Sequence, residues 1–176
     1  MGEDKSHRAA ASQFFVAGEL CRHGLVAVVT LGNCPNTDVL VSNKAGNRFV
    51  HVQVKTYRPG DKGVSVGKKA ERDYGPGFFW VLAGIPHVGT TSEVEYYIVP
   101  SAVLSKLVSD SHQSWLKTPG AKGQAHNESN IRTVAIPPFQ NKYADQCITD
   151  YKNRWDLIVD ACRDDSGGDP SEEESS

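Results

Sequence analysis

Apolar positions in this chain come in short blocks, and the spacing inside each block predicts its conformation. Residues 9–23 favour a helix, with Phe15 and Glu19 one turn apart on one face and Gly24 following Arg22 and His23 as a stop. LVAVVTL (25–31), DVLVS (38–42) and RFVHVQVK (48–55) are rich in β-branched residues and read as three strands. The short turn from Asn43 to Asn47 predicts an antiparallel hairpin between the second and third. FFWVLAGI (78–85) is a continuous apolar run of the kind that is buried on both faces, and EYYIVP (95–100) adds a fifth strand closed by Pro100. SAVLSKLVS (101–109) predicts a helix, and IRTVAI (131–136) a short edge strand.

Near the end, Tyr143, Cys147, Tyr151, Trp155, Ile158 and Cys162 recur at three- and four-residue steps. This stripe predicts a final helix from about Asn141 to Cys162. The order helix, three strands, connector, two strands, helix, helix makes an α/β (α+β) chain. A central mixed sheet of about five strands is expected, flanked by helices.

Charge is unevenly spread. The formal net charge is −2, yet RDDSGGDPSEEESS (163–176) holds six acids and one base, leaving 18 bases against 15 acids before it. That split predicts one domain over 1–162 and a disordered acidic tail over 163–176. The four cysteines are scattered, with no close pair for zinc or redox chemistry. No apolar run approaches a membrane span, and the N-terminus lacks the order of a signal peptide, so a cytoplasmic protein is expected.

Strand alternation isolates the chemistry. In the third strand Val50, Val52 and Val54 face one way and His51, Gln53 and Lys55 the other. His51, further from the strand end, reads as a packed residue. Hairpin pairing brings Asp38 beside Gln53 and Lys55. Buried acid, amide and amine must satisfy one another or share a bound ion. A hard cation such as Mg²⁺ or Mn²⁺ takes oxygen ligands of the kind Asp38 and Gln53 offer, and Glu19 on the first helix is a third candidate. Arg58, Lys62, Lys68, Lys69 and Arg72 crowd the connector after Lys55, as phosphate-contacting residues would.

With Asp38 starting one strand and Gln53-Val54-Lys55 ending the next, the chain resembles the PD-(D/E)XK, or restriction-endonuclease-like, nucleases. Glu19 matches the helix glutamate that many members add. Gln53 stands where most members have an acid, a QXK version similar to the Mrr-type restriction endonucleases. The resemblance implies Asp38, Gln53 and Glu19 as metal ligands, Lys55 as a catalytic residue, and DNA as substrate in repair, restriction or phage defence. Two other readings stay open: a catalytically weak nucleic-acid-binding or protein-interaction module, and a partner protein acting through its acidic tail. DNA versus RNA and a homodimer also remain open.

Overall fold

The computed structural model describes residues 5–31, 34–143 and 147–164. Helix α1 (Lys5–Arg22) leads into β1 (Val26–Val29), β2 (Val39–Ser42) and β3 (Phe49–Tyr57). Then come β4 (Gly63–Ser65), β5 (Phe78–Gly84), β6 (Glu95–Pro100), α2 (Ser101–Lys117), β7 (Thr133–Ala135) and α3 (Asp156–Ala161). Among the described residues five strands form one sheet in the order β1-β2-β3-β5-β6, with only β3 and β5 parallel. This is the mixed, helix-flanked sheet that the sequence predicts. No helix among the described residues is long and apolar enough to cross a membrane.

Each sheet face has its own core. Val39, Val41, Val50, Val52, Val54, Val81 and Ala83 meet Val16, Ala17 and Leu20 of α1, joined by Trp155 and Ile158. The opposite face carries Tyr57, Trp80, Leu82, Tyr97 and Val99 against Leu104, Leu107 and Val108 of α2. Every residue of β5 is buried, because both layers cover it. Helix α2 packs over the β5–β6 half only, so the β1–β2–β3 half of its face stays open. Val26, Val28 and Phe49 there are 46%, 57% and 55% exposed. Gln53 and Lys55 lie on that open half.

Two segments differ from expectation. The stripe from Tyr143 to Cys162 does not form one helix: Thr149–Tyr151 is a 3₁₀ turn, Lys152 is extended and bridges Tyr97 of β6, and Asn153 takes a φ of 54°. The chain thereby rounds the β6 edge. Ile148 and Tyr151 pack on the α2 core, while Trp155, Ile158 and Cys162 pack on the α1 core. One periodicity serves two layers, and the sheet edge is covered. The strand expected near 131–136 pairs with β4 in a separate two-stranded sheet, not with the main one.

The expected acidic tail lies outside the described residues from 165 onward. Asp164, at its start, accepts a 2.5 Å hydrogen bond from Asn47 in the β2–β3 turn.

Gly84 marks a close approach. A Cβ there would sit 2.7–2.8 Å from the Tyr57 ring, which is 3% exposed and donates from its hydroxyl to Glu95 at 3.2 Å. Gly84→Ala is therefore expected to cost roughly 1–3 kcal/mol by overpacking. A thermal melt checks it; an unchanged midpoint would mean the ring has room to move.

Candidate active site

Asp38 stands one residue ahead of β2, directly opposite Gln53 in the antiparallel register that pairs Val39 with Val52. Its backbone N–H donates to Val52 O at 2.9 Å, continuing the ladder. Its side chain then takes over the pairing: carboxylate Oδ2 accepts from the Val54 N–H at 2.7 Å and from the Gln53 side-chain amide. A strand that stops early leaves an orphan donor on its neighbour, and a carboxylate at that point satisfies it. The acid is thus positioned by backbone geometry, and the Gln53 carbonyl oxygen is left as an acceptor.

Lys55 follows on the same face, partly buried, with Nζ 5.9 Å from the Trp80 ring centroid. Burial holds its amine below the ordinary lysine value; Asp38 pulls it back up and nearby Lys69 pushes it further down. Two cavities meet at Lys55. One, of about 580 Å³, is lined by Arg8, Gln13, Thr56, Arg58, Asp61 and His87 among others. The second, of about 620 Å³, is lined by Asn36, Gln53, Gly67, Lys69 and Trp80 among others.

The expected residues thus divide. Asp38, Gln53 and Lys55 come together. Glu19 does not join them: it lies on the α1 side of the sheet, accepts from Arg22 at 2.8 Å and faces Tyr96, whose phenol burial and this carboxylate push up to about 12. Helix phase explains the misplacement. Ser12 bonds Thr56 at 2.6 Å and pins the first half of α1 to the end of β3. The helix residues that reach the cavity are therefore Arg8, Ala9 and Gln13, in the first half of α1, not Glu19 further along. A polar residue beginning the inward stripe Gln13, Val16, Ala17, Leu20 was the available signal. His51, expected to be packed, is exposed and shares a 3.0 Å hydrogen bond with Thr37.

The connector cations also separate. Lys69 and Arg58 line the two cavities beside Lys55, although Arg58 is held at 3.7 Å by Asp61. Lys68 pairs with Glu128 at 3.8 Å, Arg72 lies over Tyr74, and Lys62 lies over Phe139 and lines a different cavity of about 720 Å³. Among the described residues no three His, Cys, Asp or Glu side chains converge as a metal cluster. The donor set around Asp38 is instead its own carboxylate and the Gln53 side-chain oxygen, a lean set suited to a hard cation that keeps waters.

No protein-family model matches the chain, and comparison with curated proteins finds no match. Among solved structures it is similar to a bacterial homing endonuclease, I-Ssp6803I, with a TM-score of 0.53 and 13% identity over 90% of this chain and 95% of that one. At that identity the likeness is one of fold.

Proposed function

We propose that the chain is a divalent-metal-dependent nuclease of PD-(D/E)XK type that hydrolyses DNA, its site lying in one domain over residues 1–162. The observation that carries this reading is the register that sets Asp38 opposite Gln53, with Lys55 two residues on and on the same face. The fold shared with a homing endonuclease supports it.

Asp38 and the Gln53 carbonyl oxygen would hold Mg²⁺ or Mn²⁺. When bound, such an ion neutralises phosphate charge and makes water a better nucleophile. Hydrolysis forms one new bond from water oxygen to phosphorus and breaks the bond to the leaving oxygen, which takes up a proton. Lys55 meets the negative charge that develops on the phosphate, in a partly desolvated place where a cation is worth more than in water. Lys69 and Arg58 contact flanking phosphates.

A second reading draws on the same hydrogen bonds. Asp38 Oδ2 is already satisfied by Gln53 and Val54, and Gln53 removes a charge that most sites of this type carry. Both features favour a catalytically weak DNA-binding module. Supercoiled plasmid with Mg²⁺ or Mn²⁺ separates the two. Nicking or linearisation supports the nuclease; binding without cleavage supports the module.

The pH profile carries a sign. Lys55 acts as a cation, so cleavage should fall as pH rises through its lowered pKa. Lys69→Ala removes a neighbour that pushes that pKa down, so its descending limb should move to higher pH. Initial rates across pH check this, and a limb that stays put or moves down would show that Lys55 is not the titrating group.

A further inference from the structure

Trp80 sits at the centre of β5, paired in register with Gln53 on one side and Val99 on the other. It is 2% exposed, and its indole Nε1 has no hydrogen-bond partner among the described residues. A buried indole N–H normally finds an acceptor, and leaving one unpaired is costly. Trp80 forms part of the wall of the 620 Å³ cavity beside Lys55, and no carboxylate is among that cavity's lining residues. Lys55 and Lys69 both line it, and Lys69 makes no ion pair among the described residues, whereas its neighbour Lys68 is held by Glu128. Asn36 lines it too, at a φ of 64°, the left-handed region that asparagine tolerates better than most residues. Two like charges set against one cavity repel unless an anion comes between them.

We propose that this cavity is a subsite for a backbone phosphate next to the scissile one, with the Trp80 indole N–H as its neutral donor and Lys69 as its charge. The inference rests on the nuclease reading and adds a substrate-positioning residue to it. The neutral donor fixes where the strand lies. The lysine supplies attraction that any phosphate would feel. Gln53 lines this cavity as well, so the strand subsite adjoins the cation site that Gln53 shares with Asp38.

The test measures affinity for a short labelled DNA duplex in EDTA, where no chemistry occurs, across a salt titration. Trp80→Phe keeps the ring and deletes the donor. It should weaken binding roughly tenfold, because a hydrogen bond to a charged acceptor is lost. Its salt slope should match wild type, since no charge is removed, whereas Lys69→Gln should lower the slope by about one unit. The melting temperature of Trp80→Phe should stay level or rise, because the deleted donor has no partner among the described residues.

Wild-type affinity in Trp80→Phe would overturn the proposal, and so would a parallel fall in affinity and melting temperature, which marks a structural role. Inorganic phosphate is the second probe. If it stabilises wild type but not Trp80→Phe while the duplex binds both equally, the cavity takes free phosphate and not a strand. Plasmid cleavage that persists alongside any of these failures leaves the nuclease reading standing. A wild type that binds no DNA removes both.

Discussion

With supercoiled plasmid and Mg²⁺, Asp38→Asn is expected to cut on the order of 10³ times more slowly than wild type, the scale of losing a principal electrostatic element of a site. Asp38 is the one carboxylate in the cluster with Gln53 and Lys55, and no further His, Cys, Asp or Glu cluster among the described residues takes over its role. Asparagine keeps the size and one acceptor oxygen, so the Val54 N–H stays satisfied. The fold should lose only about 1 kcal/mol, the difference between a charged and a neutral acceptor. Time courses of nicking beside a thermal melt check both halves. A variant that cuts at the wild-type rate would show that the carboxylate holds a turn and nothing more.

Lys55→Met is expected to lose cleavage by roughly 10²–10³-fold and yet to melt at a higher temperature than wild type. Lys55 is partly buried, lies over Trp80, and makes no ion pair with a carboxylate among the described residues. Methionine has similar length, no charge to desolvate and a sulfur that packs well against an indole. The pH dependence follows from linkage. Because folding lowers the Lys55 pKa, the unfolded chain binds more protons in the window between that value and the ordinary one. The penalty in wild type is full below the window and vanishes above it. The stability advantage of Lys55→Met should therefore shrink as pH rises into the alkaline range. Melts at several pH values check this, and a variant less stable than wild type at neutral pH would mean that the amine stabilises the fold.

The alternation of valines with His51, Gln53 and Lys55 was legible in the sequence, because a strand with one buried face has only one register. That regularity, with the tight turn after Ser42, carries Asp38 to its partner. Helix phase was less legible. Glu19 and Gln13 both sit on a helix that packs on the sheet, and only the Ser12–Thr56 contact decides which one reaches β3. The closing segment misled for a physical reason: steps of three and four residues describe any repeated apolar contact, including one that leaves a core and joins another around a sheet edge. Pairing of β4 with β7 joins strands far apart in the chain, and nothing local encodes it. Lys69 stood out from its basic neighbours only once their partners were visible.

Crystals grown with a DNA duplex and Mn²⁺, read by anomalous scattering, test the central claim most directly. A manganese peak within coordination distance of the Asp38 carboxylate and the Gln53 carbonyl oxygen is predicted, with Lys55 on a phosphate oxygen. Manganese bound elsewhere, with the Gln53 amide still donating to Asp38 and Lys55 away from the strand, would contradict it.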